Sequence, residues 1–251
     1  MLKEIVIAVQ SYFKAHRFIM ANGLWKWVLL PGILYALLFG FGMQYFGRSA
    51  NTVIEYITNL VGIRDFIQKW ENSWLGFFFT FTAIVFWIIL MLFYFSLFKY
   101  VWLILGSPIY AYLSERTSAA IEGREYAPDN RLLLKDMGRG VLLALRNLLW
   151  QTVYIASTLF LTLLPIVGWA TPLLAFFMEC YYFGFSMLDY SCERKGMSRA
   201  AGIEYVGRHR GLAIGNGMVF FLMHLALGIG WVFAPSYAIV AATISMHETK
   251  P

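Results

Sequence analysis

A long apolar run extends from Trp74 to Phe98 without a charged side chain. As an α-helix these roughly 25 residues would be about 37 Å long, which exceeds the ~30 Å hydrocarbon core of a bilayer. Lys99 and Tyr100 follow the run, and their ammonium group and phenol suit the headgroup level as an interfacial anchor. The pattern therefore predicts a transmembrane helix over residues 74–105.

Three segments precede this helix. Residues 24–46 form a second apolar run that is long enough to span the bilayer, and Pro31 within it predicts a kink or a restart. Residues 47–73 are more polar, with apolar positions at helical spacing, which predicts one or two short surface helices. Residues 1–21 predict an interfacial helix with a Lys-rich polar face, lying either in the headgroup plane or against the rest of the protein.

The remaining apolar runs are shorter and come in pairs joined by turns. The first pair covers residues 148–190 with Pro165 and Pro172 at its turn, and the second covers residues 212–246 with Gly228 at its turn. Arms of about 17 residues are marginal for a span. We therefore expect helical hairpins whose two ends lie on one side of the bilayer, and the short arms favour partial insertion over full crossing.

These elements together predict one all-α integral membrane domain over residues 1–251. It would contain two long transmembrane helices, two short, partly inserted helical hairpins and amphipathic surface helices. Lys and Arg residues are concentrated in the N-terminus, the central region and the link between the hairpins. Because basic segments stay on the cytoplasmic side, we expect a multi-pass protein with cytoplasmic N- and C-termini.

Composition supports this class, because 60% of the residues are apolar and 14% are charged, against about a quarter charged in a soluble domain. The net charge of +6 lies in short loops, which favours lipid headgroups or small anions over nucleic acid as partners. Cys180 and Cys192 lack the spacing of a metal site, and we expect them to act as small apolar residues. No nucleophile, acid–base pair or cofactor motif stands out in the sequence, so we expect no enzyme, metal or cofactor.

The start of the first span is a candidate anion site. Gly23, Leu24 and Lys26 stand where the free N–H groups and the dipole of a helix N-terminus favour an anion, and the glycine lets the backbone approach a ligand. The alternative is a flexible break followed by a lysine that snorkels to the interface.

A carboxylate within an apolar arm is a second candidate. Glu179 must be protonated, paired or in contact with water, because an unpaired buried carboxylate is costly. Arg139, Arg146 and His224 are its possible partners. The residue would then belong either to a structural bond between helices or to a conduction path.

Other polar residues point to links between helices. Asp189 could pair with Arg194 or Arg116, and Glu115 precedes Arg116 in the same polar segment. We favour a structural role for these residues. His224 is more typical of hydrogen-bonded packing than of a ligand.

Two sequence patterns carry weaker expectations. Arg131, Lys135 and Arg139 share one helix face, which predicts contact with lipid phosphate or a vestibule that attracts an anionic solute. The glycines of residues 211–217 lack the preceding strand that a nucleotide-binding loop needs.

Several short motifs follow one another along the chain: Gly23-Leu24-x-Lys26-x-x-x-x-Pro31, Ser107-Pro108, Leu113-Ser114-Glu115 and Leu188-Asp189-Tyr190. A basic amphipathic segment over residues 198–210 and a Gly-rich apolar hairpin come after the last motif. In this order they resemble the CysZ/etoposide-induced-protein family over nearly the whole chain.

The resemblance implies two long transmembrane helices and two partly inserted hairpins, assembled as a homo-oligomer. It also implies a bacterial inner-membrane sulfate permease that feeds cysteine biosynthesis, whereas eukaryotic relatives lie in the endoplasmic reticulum without an established transport role. The bacterial permeases carry two adjacent arginines after the Gly-Leu pair, where this chain has Trp25 and Lys26. A single ammonium group can hold a dianion as a point charge, but the paired guanidinium forks are missing.

The leading hypothesis is therefore an inner-membrane permease or channel for sulfate or a similar small anion. The residues assigned to anion binding are Gly23, Leu24, Trp25 and Lys26. The residues assigned to the pathway or to links between helices are Glu179, Asp189, Glu115, Arg116 and His224. The alternative is a membrane-organising or lipid-contacting protein that transports nothing, and membrane lipids are partners under either hypothesis.

Overall fold

The computed structural model describes residues 1–60, 74–125, 130–162, 164, 167–226 and 228–249. Every regular element within these ranges is helical. The elements in chain order are α1 (Leu2–Ala21), α2 (Trp25–Leu60), α3 (Trp74–Leu105), α4 (Ser107–Ile121), α5 (Asn130–Thr162), a 3-10 helix (Val167–Ala170), α6 (Thr171–Arg194), α7 (Arg199–Arg208), α8 (Arg210–Leu225) and α9 (Ile229–Glu248).

Among the described residues, three helices are long and apolar enough to cross a membrane. They are Trp25–Val53 of α2, Gly76–Leu105 of α3 and Ile229–Glu248 of α9. The first two contain the predicted spans. The third lies in the second predicted hairpin and is mostly buried inside the protein, whereas α2 and α3 expose most of their surface. Their length and apolar character identify a membrane protein.

The helix that contains the first span is longer than predicted. α2 continues without interruption to Leu60, so the expected break into surface helices over residues 47–73 is wrong as far as Leu60. Residues 61–73 lie outside the described part of the chain. The hydroxyl groups of Ser49 and Thr52 each donate to a carbonyl oxygen one turn earlier. Polar side chains satisfied in this way do not end a helix.

The predicted restart at Pro31 is also wrong, because Pro31 lies inside α2. Neighbouring helices can satisfy the backbone groups that a proline frees in a membrane helix. α9 is such a neighbour, since a Cβ on Gly32 would overlap the carbonyl oxygen of Val232. The two helices therefore approach closely just after the proline.

Each predicted hairpin is a pair of helices joined at a tip. α5 and α6 form the first hairpin, and the hydroxyl groups of Thr162 and Thr171 lie 2.9 Å apart across its tip. α8 and α9 form the second, and Gly228 turns the chain with a φ of 77°. The first hairpin has longer arms than its apolar runs predicted, 33 and 24 residues. A helix requires only one apolar face, so it can continue through charged residues.

The two hairpins reach different levels along α3. Trp169 at the first tip packs on Phe81, with 4.9 Å between the ring centroids. His224 near the second tip lies 5.5 Å from the ring of Phe95. Phe81 precedes Phe95 by about 14 residues, or about 21 Å of helix. The first hairpin thus follows most of α3, whereas His224 lies only about a third of the way along α3 from its C-terminal end.

Glycines allow the hairpins to pack closely against each other. A Cβ on Gly184 of α6 would overlap the backbone of Ala213, and a Cβ on Gly217 of α8 would overlap the backbone of Cys180. Small residues at such crossings are typical of membrane helix pairs. The Gly-rich segment over residues 211–217 therefore serves helix packing.

The N-terminal helix lies against the rest of the protein, which is one of its two expected placements. Ala8, Tyr12 and Ala15 are buried where α1 packs on α8 and α9. Leu2 and Phe13 remain 78% and 71% exposed on another face. α1 is therefore docked on the protein and keeps an apolar stripe on its outer surface.

The N-terminal helix and the end of α9 meet at one end of the molecule. Lys14 of α1 forms an ion pair with Glu248 at the end of α9. Lys195, in the link between the hairpins, donates to the carbonyl oxygen of Met246 at 3.3 Å. The N-terminal helix, the C-terminal helix and the hairpin bases are therefore neighbours, as hairpins that enter from one side require.

Candidate functional site

A buried ion pair lies between α3 and the first hairpin. The Nζ of Lys99 is 2.6 Å from Oε2 of Glu179, and both side chains are completely buried. The Oε1 of Gln151 accepts from Lys99 at 3.0 Å and from the Tyr100 hydroxyl at 2.7 Å. The Gln151 amide donates to Oε1 of Glu179. Side chains from α3, α5 and α6 thus form hydrogen bonds and an ion pair with one another. Charged groups that are removed from water require such partners.

This cluster corrects two predictions. Lys99 is not an interfacial anchor, and Glu179 is paired neither with Arg139 nor with Arg146 or His224. α3 continues past Lys99 to Leu105, so the lysine lies more than one turn inside the helix. That apolar continuation was the sequence signal that Lys99 is buried.

Ion pairs also hold the first hairpin near its base. Nη2 of Arg139 donates to Oδ1 of Asp189 at 2.8 Å, and Nε donates to Oδ2 at 3.3 Å. Arg194 lies 3.2 Å from the carboxylate of Glu115 on α4. The prediction that Asp189 pairs with Arg194 or Arg116 is therefore wrong. Asp189 and Arg194 are five residues apart on α6, a spacing that places side chains on different helix faces.

The predicted basic stripe is described at Arg139 alone, because the side chains of Arg131 and Lys135 lie outside the described part of the structure. Arg139 faces Asp189 and also donates to the carbonyl oxygen of Met197. This guanidinium group therefore joins α5 to α6 and to the segment after α6, and does not face lipid or a vestibule.

His224 is buried among aromatic side chains. Its Nε2 lies 2.8 Å from the Tyr35 hydroxyl of α2, and its Nδ1 lies 2.9 Å from the carbonyl oxygen of Phe220. The rings of Phe39 and Phe95 meet the imidazole edge-on. Nε2 thus joins α8 to α2, whereas Nδ1 bonds within α8.

The four predicted anion-binding residues point in different directions. Gly23 has a φ of 63° and forms the turn between α1 and α2. Leu24 is buried, and the indole of Trp25 packs on Phe233 at 5.9 Å between ring centroids. Lys26 is exposed. Of these four residues, Lys26 is therefore the one whose charged side chain is accessible to an anion in solution.

A cavity of about 420 Å³ lies beside the same turn. Asn22 lines it from the end of α1, and Arg116 lines it from α4. Arg124 and Glu125, which follow α4, complete its charged lining. Two guanidinium groups and Asn22, the residue that precedes Gly23, therefore line the same cavity.

Two guanidinium groups against the one carboxylate of Glu125 give this cavity a net positive lining, which suits a small oxyanion. Guanidinium groups offer paired N–H donors to such ions. Arg124 lies 2.6 Å from Glu122, but both side chains are more than one-third exposed. An exposed pair of this kind contributes only about 0–1 kcal/mol, so a dianion can replace the carboxylate. The sequence analysis included Arg116 but missed Asn22 and Arg124, because only the packing of α4 beside the turn brings them together.

Two further features of the described ranges concern the metal-ligating side chains and the two cysteines. No group of three or more His, Cys, Asp or Glu side chains there could hold a metal ion. Cys180 and Cys192 are buried free thiols, as expected of small apolar residues.

Residues 11–235 match the protein family described as Sulfate transporter CysZ/Etoposide-induced protein 2.4. No curated protein matches the chain. The matched range contains the cavity beside Gly23, the buried cluster around Lys99 and Glu179, and the tips of both hairpins.

Proposed function

Because the chain belongs to the sulfate transporter CysZ/etoposide-induced protein family, we propose that it is a permease or channel that carries sulfate across a bacterial inner membrane for cysteine biosynthesis. The observation that carries this proposal is the cavity where Arg116 and Arg124 meet Asn22. Bacterial permeases that the chain resembles carry an arginine pair at the positions of Trp25 and Lys26. Here α4 and the residues after it would supply the guanidinium groups to the same turn.

Some of the charged groups would attract the anion and others would bind it. Lys26 is exposed at the start of the first span and would raise the local anion concentration. Arg116 and Arg124 would then hold the anion through their N–H donors. The pair of Lys99 and Glu179 would serve to fix the first hairpin against α3, since its charges already neutralise each other.

The proposed topology follows from the charge distribution. The hairpin bases and both termini share one end of the molecule and are rich in Lys and Arg, so this end would be cytoplasmic. The outer face of α2 exposes large apolar side chains such as Leu30, Leu34 and Leu37. A homo-oligomer would cover part of this face and enclose a path between copies.

The direct test is uptake of radiolabelled sulfate into liposomes that contain the purified protein. We expect saturable uptake above that of empty liposomes, inhibited by a competing oxyanion such as sulfite and less by chloride. Absence of uptake in a folded preparation would contradict the proposal.

Substitutions tested in the same uptake assay would locate the anion site. Arg116→Gln and Arg124→Gln should each weaken sulfate binding about 10- to 150-fold, because a hydrogen bond to a charged group contributes about 1.5–3 kcal/mol. Lys26→Ala should also reduce uptake while the oligomer stays intact. Arg208→Gln is the matched control, since Arg208 is exposed on α7 and pairs with Glu204. Equal uptake by all four variants would place the anion site elsewhere.

The hairpin tips favour a second candidate function, a membrane-organising protein that transports nothing. Phe160, Leu164 and Trp169 are exposed at the first tip, and Leu225 and Ile229 are exposed at the second. Apolar wedges of this kind insert into lipid from one side. The uptake assay separates the candidates, because a wedge protein would give no sulfate flux.

A further inference from the structure

A groove on the outside of the two hairpins is separate from the cavity at Arg116. It lies between α5, α6 and α8 and has a volume of about 360 Å³, within the range of about 300–1,000 Å³ that small-molecule sites occupy. Tyr154 and Tyr182 form one wall, with 6.0 Å between their ring centroids. Phe177, Met178 and Ile214 form an apolar wall.

Two arginines lie at the end of the groove nearest the hairpin bases. Arg210 lines the groove at the start of α8. Arg146 of α5 lies 5.9 Å from the ring centroid of Phe185, and that ring packs at 6.0 Å on the ring of Tyr181, another lining residue. No carboxylate among the described residues pairs with either arginine. Arg146 donates to the side chain of Asn147, and Arg210 donates to the carbonyl oxygen of Gly207.

The groove is polar at one end and apolar along its length. Tyr154 is about two turns nearer the hairpin tip than Arg146, or about 12 Å of helix. Tyr154 and Phe177 are 39% and 40% exposed on the outer surface of the first hairpin. A ligand that fits would therefore carry negative charge at the hairpin bases and an apolar chain directed toward the tips.

We propose that this groove binds one anionic phospholipid from the leaflet that the hairpins enter. Its phosphate lies between Arg146 and Arg210, and one acyl chain follows Phe177, Met178 and Ile214. Two unneutralised guanidinium groups match an anionic headgroup, and the apolar wall favours a lipid over a soluble anion. The bound lipid bridges the first hairpin to the second.

The test compares two lipids with identical acyl chains, phosphatidylglycerol and phosphatidylcholine, added to the purified full-length protein and measured by native mass spectrometry. Phosphatidylglycerol should bind more tightly. Arg146→Gln and Arg210→Gln should each weaken its binding about fivefold, the effect of one basic side chain at an anionic headgroup. Binding of phosphatidylcholine should change little.

Three controls make the result decisive. Arg208→Gln removes the same charge two residues from Arg210, at an exposed arginine paired with Glu204, and should leave binding unchanged. Ile214→Trp fills the groove but retains both arginines, and should weaken both lipids. Glycerol phosphate, the headgroup without its chains, should not displace phosphatidylglycerol.

The proposal is overturned if wild-type protein binds the two lipids equally, or if Arg146→Gln and Arg210→Gln behave as Arg208→Gln does. Displacement by glycerol phosphate would identify a site for a soluble anion and would overturn it as well. Because the readout is lipid binding, a failure of sulfate uptake leaves this result unaffected.

Discussion

At the scale of single residues, the stability contribution of a buried charged side chain depends on the partner that it bonds to. Lys99 and Glu179 have no exposed surface, and Gln151 bonds to both. Removing one member of a buried pair leaves an uncompensated charge and costs about 3–5 kcal/mol, whereas replacing both members is often nearly neutral. The two residues should therefore respond to mutation as a unit.

Lys99→Met and Glu179→Gln should each lower the free energy of unfolding by about 3–5 kcal/mol. The double variant should lose much less than the sum, because neither charge is then left alone. The measurement is equilibrium unfolding in detergent micelles, analysed as a double-mutant cycle.

The exposed pair of Lys14 and Glu248 is the control for this cycle, because Lys14 is 48% exposed. Lys14→Met should cost only about 0–1 kcal/mol. Additive losses for Lys99→Met and Glu179→Gln would show that the two buried residues do not interact in the folded protein.

At the scale of helices, the close crossing of α6 and α8 depends on glycines, which have no side chain. Gly184 and Gly217 let each helix touch the backbone of the other. Lipid is as apolar as a leucine side chain, so membrane helices associate through close packing instead of through the hydrophobic effect. One added methyl group at the crossing should therefore lower the stability of the protein.

Gly184→Ala should destabilise the protein by about 1–3 kcal/mol, because its Cβ would overlap the backbone of Ala213 and force the helices apart. Gly207→Ala is the same substitution in α7, where nothing lies within 4 Å of the added Cβ. It should stabilise the protein by about 0.5–1 kcal/mol, since alanine favours a helix over glycine. Thermal unfolding measures both, and the same sign of change for the two variants would refute the close crossing.

At the scale of the whole molecule, the hairpins are not equivalent. The first tip packs on Phe81, whereas His224, about one turn before the second tip, lies near Phe95, about 21 Å from Phe81 along α3. With a hydrocarbon core of about 30 Å, this difference would place one tip near the far surface and the other within the bilayer. Partial insertion, expected of both hairpins from their short apolar runs, remains a prediction for each, with the second hairpin expected to lie shallower than the first.

Single cysteines at the tips test this difference with a membrane-impermeant maleimide. Trp169→Cys should react from the side opposite the hairpin bases, whereas Leu225→Cys should react from neither side. Arg208→Cys at the hairpin bases and Ser49→Cys far along α2 mark the two sides. The native Cys180 and Cys192 are buried and should contribute little background. Equal labelling of the two tips would contradict unequal depth.

The sequence by itself determined that the chain is helical and that α2 and α3 are apolar enough for a membrane, but it did not identify α9 as a third helix of that length. An uncharged run longer than the bilayer core, such as the one before Lys99, and a turn at Gly228 are local properties of the chain. The family could also be recognised, because its short motifs depend on order along the chain. The resemblance noted from those motifs is confirmed by the match over residues 11–235.

Only the tertiary structure decided which polar groups meet. Lys99 and Glu179 are 80 residues apart, and their bond exists because α3 and α6 lie side by side at one level. Asn22 and Arg116 likewise share a cavity because α4 packs beside the turn after α1. Hydropathy depends on neighbours in sequence, whereas pairing and hairpin depth depend on how helices slide and rotate against one another, which no local pattern encodes.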